Sequence, residues 1–213
     1  MNSIRGVVMV VAALGVATAA FAEVKTQEFE YRQGDTVLQG FLAWNDKTPG
    51  KAPGVLVVHE WWGHNAHARS QAKRLAAAGF VVLALDMYGK GKLAQHPADA
   101  TAFMQEATKD PEVVAARFNA ALDLLRKDPH VDARRNAAIG YCFGGGVVLD
   151  MARSGADLKA VVSFHGSLGT ASPASPGKVK ARILVLTGAA DPMTPSTLVS
   201  SFKREMSDAG AKF

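Results

Sequence analysis

Residues 136–153 read NAAIGYCFGGGVVLDMAR, and this stretch decides the fold. The apolar run at its start predicts a strand, and the small and apolar residues after it predict a helix. Between them, Gly140-Tyr141-Cys142-Phe143-Gly144 has the spacing glycine-x-nucleophile-x-glycine, with cysteine as the nucleophile. Such a turn holds the nucleophile in a strained conformation clear of the sheet. We therefore predict that Cys142 is a catalytic nucleophile, the alternative being a buried cysteine in a glycine-rich turn.

Outward from this stretch, apolar runs alternate with segments of helical spacing. The runs predict strands at Gly54 to Val58, Phe80 to Leu85, Asn136 to Ile139, Ala160 to Phe164 and Arg182 to Leu186. The helical segments are Ala66 to Ala78, Ala98 to Thr108, Glu112 to Arg126, Phe143 to Arg153 and Pro195 to Ala209. This alternation predicts one α/β domain over residues 23–213, with a mostly parallel sheet and helices on both faces.

The two ends of the chain add to this pattern. Glu28 to Arg32 and Thr36 to Trp44 alternate apolar and polar residues around Gly34-Asp35, which predicts an antiparallel N-terminal hairpin. Ala211 to Phe213 predicts the opening of another strand.

Residues 1–22 have the layout of a secretory signal peptide. Arg5 gives a positive start, an apolar run extends from Gly6 to Ala20, and Ala20-Phe21-Ala22 fits a signal peptidase site. The run is shorter than the roughly 20 residues that span a bilayer, so a membrane anchor is the weaker interpretation. We expect cleavage after Ala22, a periplasmic or secreted protein, and no stable membrane insertion afterwards.

Composition excludes several classes. The chain has 213 residues, of which 48% are apolar and 20% charged, so collagen-like and disordered classes do not apply. A single cysteine excludes an intramolecular disulfide and any multi-cysteine metal site. The chain has a net charge of +5, but its sequence contains no block of like-charged residues. We therefore expect no nucleic-acid partner. We also expect no metal, no cofactor and a monomer.

A thiolate that attacks a carbonyl needs hydrogen-bond donors for the oxyanion. The amide after the nucleophile, that of Phe143, is one candidate, and the Trp61 amide, in the loop after a buried strand, is the second. We also expect the start of the following helix to favour the thiolate and lower the pKa of Cys142. Asp191 follows the strand Arg182 to Leu186 and is predicted to orient the base, the alternative being a helix cap.

Four motifs in this order resemble the dienelactone hydrolase family. They are Gly140-Tyr141-Cys142-Phe143-Gly144-Gly145, His59-Glu60-x-x-Gly63, Asp86-Met87-Tyr88 and Gly188-Ala189-Ala190-Asp191. The resemblance runs from about residue 26 to residue 213. It implies an α/β-hydrolase fold, a Cys-His-Asp triad and hydrolysis of the dienelactone type.

The resemblance assigns further roles. It matches Cys142 to the nucleophile, Asp191 to the triad acid and Glu60 to a glutamate that helps to activate the thiol; otherwise Glu60 is a solvated loop charge. Lys90 stands where dienelactone-specific members carry an arginine for the substrate carboxylate, and its alternative is an exposed loop lysine. Since lysine lacks the bidentate fork, dienelactone itself is in doubt as substrate. Tyr88 and His165 are predicted to line the substrate site.

The chain departs from the family pattern after Asp191. The triad histidine of this fold follows the acid, but the last of the six histidines is His165. We expect His59 and His64 to lie near the oxyanion loop, and His67, His96 and His130 to lie on the surface. We therefore expect the last strand and the histidine loop to be missing from a C-terminally truncated chain, with impaired turnover.

The sequence thus predicts an exported cysteine hydrolase that cleaves a small ester or lactone through an acyl-thioester. A non-catalytic small-molecule-binding protein with the same fold is the alternative, and a thiol sensor ranks third because no resolving cysteine exists.

Overall fold

The computed structural model describes residues 24–213. The predicted signal peptide lies outside the described residues. The seven strands are β1 Val24–Gln33, β2 Thr36–Asn45, β3 Ala52–Val58, β4 Val81–Leu85, β5 Val131–Tyr141, β6 Ala160–Phe164 and β7 Arg182–Leu186. The five helices are α1 Ala66–Ala77, α2 Pro97–Thr108, α3 Pro111–Lys127, α4 Phe143–Arg153 and α5 Ser196–Asp208.

The strands form one sheet in the order β1-β2-β4-β3-β5-β6-β7. β1 and β2 form the predicted antiparallel hairpin, and β2 also runs antiparallel to β4. The other neighbouring pairs are parallel. The carboxyl ends of β3 to β7 therefore meet at one edge, where open α/β sheets place their sites.

The sheet separates two apolar layers because successive side chains of a strand point to opposite faces. Leu56 and Val58 of β3 pack with the layer that contains residues of α3, α4 and α5. Val55 and Val57 pack on the other face against three alanines of α1, Ala68, Ala72 and Ala76. The predicted α/β layering is confirmed.

One strand is longer than its apolar run predicted. β5 begins at Val131 and pairs with the start of β3 before a register shift at Pro53/Gly54. Arg134 and Arg135 lie exposed in this irregular part, which is why apolar patterning did not reveal it.

The free edge of the sheet is β7. Lys212 forms an isolated parallel bridge with Arg182, and the Ile183 amide donates to the Lys212 carbonyl at 2.8 Å. The strand opening predicted at Ala211 to Phe213 is therefore present as a single bridge. Within residues 24–213, no helix has the length and apolarity needed to cross a bilayer.

Candidate active site

Cys142 occupies a strained turn between β5 and α4. Its φ is 51° and its ψ is −112°, in the left-handed half of backbone space that non-glycine residues avoid. The Cys142 amide donates to the Phe164 carbonyl at 2.8 Å, which ties the turn to the end of β6. The geometry is the nucleophile elbow that the motif predicts.

The flanking glycines allow this turn. A Cβ on Gly144 would lie 2.5 Å from the Val58 carbonyl oxygen and 2.6 Å from that of His59, and a Cβ on Gly140 would collide with the Gly144 carbonyl. The start of α4 therefore lies directly against the carboxyl end of β3. This close approach brings the thiol next to the loop after β3.

Two backbone amides, those of Phe143 and Trp61, lie next to the sulfur, and each lowers the pKa of Cys142. They are the two amides that the sequence predicted as oxyanion donors. Their convergence on the sulfur provides the donor pair that a tetrahedral intermediate of acyl transfer needs.

The expectation of a lowered thiol pKa is wrong. Burial raises the pKa of Cys142 above its ordinary value and outweighs the two amides. The negative charges of Glu60 and Asp191 raise it further. The resting sulfur is therefore a protonated thiol at neutral pH, and its attack needs a proton acceptor.

His59 fixes the loop after β3. Its Nε2 accepts a hydrogen bond from the Met87 amide at 3.1 Å, so its protonated Nδ1 donates to the Glu60 carbonyl at 2.5 Å. Burial holds the pKa of His59 below its ordinary value. With both ring nitrogens engaged, His59 is a neutral structural group and not a base.

Tyr88 lies below the Trp61 loop and close enough to Cys142 for the two charges to interact, and its role in lining the substrate site stays a prediction. Its side chain is buried, at 2% exposure, and its hydroxyl donates to the Trp61 carbonyl at 3.2 Å. The Asp86 carboxylate accepts from the amides of Tyr88 and Gly89 at 2.8 and 3.0 Å. The Asp86-Met87-Tyr88 motif therefore holds the Trp61 amide in position.

Glu60 is half-buried beside the thiol. Its charge acts on both Cys142 and Tyr141, which places the carboxylate near the elbow. The structure thus brings together the predicted nucleophile, both predicted oxyanion donors and the predicted proton acceptor.

Asp191 lies in the loop after β7. Its Oδ1 accepts from the Met193 amide at 2.9 Å, and its Oδ2 lies 2.5 Å from Nδ1 of His165. These two bonds, that of Met193 first, hold the pKa of Asp191 below its ordinary value. Since α5 is preceded by Pro195 as its cap, Asp191 does not cap that helix.

His165 is the predicted site residue whose side-chain partner the sequence left open. It follows β6 directly, adopts a φ of 57°, and its amide donates to the Leu186 carbonyl at 2.8 Å. Chain order gave no reason to pair it with Asp191, because a loop and β7 separate the two. The sequence predicted that His165 lines the substrate site, but it did not predict the contact with Asp191.

Lys90 does not reach the elbow. Its ammonium pairs with Glu30 of β1, and its amide donates to the Val37 carbonyl of β2 at 2.8 Å. Lys90 follows β4, and β3 lies between β4 and β5. A substrate carboxylate at Lys90 would therefore compete with the Glu30 carboxylate of the hairpin, and the predicted substrate contact stays a prediction.

His67, His96 and His130 are exposed, as predicted. His64 is buried, and its Nε2 donates to the Ala84 carbonyl at 3.1 Å. Across residues 24–213, no three His, Cys, Asp or Glu side chains are grouped so as to hold a metal ion.

The chain was compared with known proteins. The model of the dienelactone hydrolase family matches residues 38–213. A relative from Aquifex aeolicus, named "Putative carboxymethylenebutenolidase", is 30% identical over 146 residues, which are 66% of this chain and 61% of that protein. The chain therefore spans about three fifths of the length of this curated relative.

Two solved structures are similar to the whole described domain. The protein named m3DLH is 39% identical, with a TM-score of 0.81, and the match covers 88% of this chain and 78% of that one. P91, a dienelactone hydrolase-like promiscuous phosphotriesterase from metagenomic libraries, is 35% identical with the same TM-score and coverage. The fold is that of the α/β-hydrolases.

Proposed function

The chain belongs to the dienelactone hydrolase family, and on this premise we propose that it is a cysteine hydrolase of small esters or lactones. One observation carries the proposal. The thiol of Cys142, on a strained turn with a φ of 51°, lies next to the two backbone amides of Phe143 and Trp61. Acyl transfer is the reaction that requires a nucleophile and a donor pair at one point.

The proposed first half-reaction forms an acyl-thioester. The sulfur of Cys142 attacks the substrate carbonyl carbon as the thiol proton passes to the Glu60 carboxylate. The oxyanion takes the hydrogen bonds of the Phe143 and Trp61 amides. Collapse breaks the C–O bond, and Glu60 returns the proton to the leaving oxygen, which in a lactone stays tethered to the acyl group. Water then hydrolyses the thioester and frees the acid.

The substrate class follows from the family and from the site. The relative named carboxymethylenebutenolidase supports a lactone or a small ester. The pairing of Lys90 with Glu30 argues against recognition of a substrate carboxylate by this lysine. We therefore propose substrates whose acyl group is small and whose binding does not depend on a carboxylate.

Hydrolysis of an aryl acetate and of a butenolide by the full chain tests the proposal. Because Cys142 is the single cysteine, iodoacetamide blocks this thiol alone. Both alkylation and Cys142→Ala should lower kcat/KM at least ~10³-fold, as expected for a group that acts within a catalytic unit. Unchanged hydrolysis after alkylation would rule out a cysteine hydrolase. If the untreated chain binds the lactone without turnover and alkylated chain binds it equally well, the protein is a binding protein.

We also propose that the protein is exported, because residues 1–22 have the layout of a cleavable signal peptide. N-terminal sequencing of the protein from the source cell's envelope and medium should begin at Glu23. A cytosolic protein that retains Met1 would contradict export.

A further inference from the structure

His165 and Asp191 form a pair at the carboxyl ends of two adjacent parallel strands. His165 directly follows β6, and Asp191 lies five residues after β7, which pairs with β6 in parallel. Nδ1 of His165 and Oδ2 of Asp191 are 2.5 Å apart, while the Asp191 Oδ1 is occupied by the Met193 amide. An imidazole held in this way by a carboxylate donates through Nδ1 and leaves the lone pair of Nε2 free.

Both His165 and Cys142 have a strained backbone conformation. Within residues 24–213, the non-glycine residues with positive φ are Cys142 at 51° and His165 at 57°. Strained conformations of this kind cluster at active sites. The two residues lie side by side, because Tyr141 pairs with Phe164 and the Cys142 amide donates to the Phe164 carbonyl. Neighbouring strands are about 4.8 Å apart, so His165 stands next to the nucleophile.

The other histidines of the described chain are placed for different tasks. His59 and His64 are buried and hydrogen-bonded to backbone groups. His67 packs edge-on against Tyr141, His96 precedes α2, and His130 pairs with Asp128. Only His165, among residues 24–213, combines a carboxylate partner with a position beside Cys142. Its side chain is 53% exposed, so water can reach the ring.

We propose that His165, oriented by Asp191, is the general base that activates water against the acyl-thioester on Cys142. This inference rests on the proposed function and assigns its second half-reaction. It also departs from the triad order that the family resemblance implies, because here the histidine precedes the acid in the chain.

The second half-reaction starts from water and the acyl-thioester on Cys142. Nε2 of His165 takes a proton from water while the water oxygen bonds to the thioester carbonyl carbon. The tetrahedral oxyanion faces the Phe143 and Trp61 amides, and the Asp191 carboxylate stabilises the imidazolium. Collapse breaks the C–S bond, and the proton on Nε2 passes to the sulfur of Cys142. The carboxylic acid leaves, and the enzyme returns to its starting state.

The test is His165→Gly in the full chain, with His130→Gly as the matched control. Glycine accepts the positive φ of residue 165 without strain, so the variant keeps the backbone. His130 is an exposed histidine that also pairs with an aspartate, at 2.9 Å, but lies away from the elbow. Rapid mixing with an aryl acetate measures the acylation burst and the slower turnover, and intact mass measures acyl-Cys142.

We expect His165→Gly to keep the burst, to accumulate acyl-Cys142 and to slow deacylation at least ~100-fold, the usual contribution of a general base. Added imidazole should restore deacylation in this variant and leave His130→Gly unchanged, which a purely structural role of His165 would not produce. Deacylation at the unsubstituted rate in His165→Gly would overturn the inference. So would an unsubstituted chain that acylates and never deacylates, whereas failure to form acyl-Cys142 would overturn the proposed function as well.

Discussion

Strands β3 and β7 each deliver a loop to the site, yet the two strands have opposite surroundings. In β3, Leu56, Val57 and Val58 are fully buried, and the following loop is held through His59, Met87 and Tyr88. In β7, Leu184 and Leu186 are 52% and 43% exposed, and the following loop carries Asp191. The Trp61 amide, a proposed oxyanion donor, thus follows a fully buried strand, and the Asp191 carboxylate follows a strand with two half-exposed leucines.

This difference in burial between β3 and β7 suits the two proposed tasks, which are oxyanion stabilisation and activation of water. Oxyanion donors contribute by being fixed before charge develops, since reorganisation during the reaction would cancel their benefit. A base that acts on water needs a ring that solvent can reach. The comparison therefore predicts that substitutions on the β3 side cost far more stability than equivalent substitutions on the β7 side.

The largest effect is expected at the contact between α4 and β3. Gly144→Ala would place a methyl group 2.5 Å from the Val58 carbonyl oxygen, and backbone atoms on a buried strand cannot move aside. We expect a loss of at least about 3 kcal/mol in the free energy of unfolding, measured by urea titration.

Gly146→Ala is the matched control for Gly144→Ala, because it lies in the same helix and its Cβ would meet nothing closer than 3.7 Å. Replacement of a helical glycine by alanine there should stabilise by roughly 0.5–1 kcal/mol. Equal losses in the two variants would show that α4 does not depend on this close approach.

The next largest effect is a pH dependence of the free energy of unfolding, caused by His64 in the loop after β3. Burial lowers the pKa of His64 from 6.5 to about 4. Between these two pH values, His64 is therefore protonated in the unfolded chain and neutral in the folded chain. The contribution of His64 to the free energy of unfolding is fully present above pH 6.5. It is lost as the pH drops towards 4, by roughly 3 kcal/mol in total. His59, whose pKa is also lowered, adds to the loss in the same direction.

Urea titrations at pH 7 and pH 4 should show a smaller difference for His64→Gln than for the unsubstituted chain. The exposed His67 provides the control, and His67→Gln should keep the full difference. If His64→Gln keeps it as well, His64 is not the group that resists protonation.

The smallest loss in the free energy of unfolding is expected for a substitution in β7. Leu184→Ala removes a side chain that is already half in water, and we expect a loss under ~1 kcal/mol, whereas Leu56→Ala should cost about 2–5 kcal/mol by leaving a cavity. Comparable losses for the two substitutions would mean that Leu184 is covered in solution.

The sequence predicted the strand–turn–helix geometry at Cys142 and the placement of the Phe143 and Trp61 amides beside it, because local motifs with strict spacing specify them. Gly140 and Gly144 bracket Cys142, and the Trp61 loop follows a run of apolar β-branched residues. The partners of Tyr88 and Lys90 could not be predicted in the same way. Each has a competing partner that is distant in sequence: the Trp61 carbonyl for the Tyr88 hydroxyl, and the Glu30 carboxylate for the Lys90 ammonium.

The direction in which the pKa of Cys142 shifts also could not be predicted from the local motif. The helix start and the two amides favour the thiolate, as expected, but burial and the nearby charges of Glu60 and Asp191 oppose it more strongly. The sign of the shift depends on how much solvent the folded chain removes from Cys142, which no motif encodes.

By itself the sequence determined the alternation of strands and helices, the elbow at Cys142 and the order of the loops along the chain. These follow from residue spacing and from the conformations that glycine allows. Only the tertiary structure decided that His165 meets Asp191, that His59 is locked and that Lys90 turns towards the hairpin. The physical reason is that a parallel sheet brings together strand ends that are far apart in sequence, and that each polar side chain then takes the partner nearest in space.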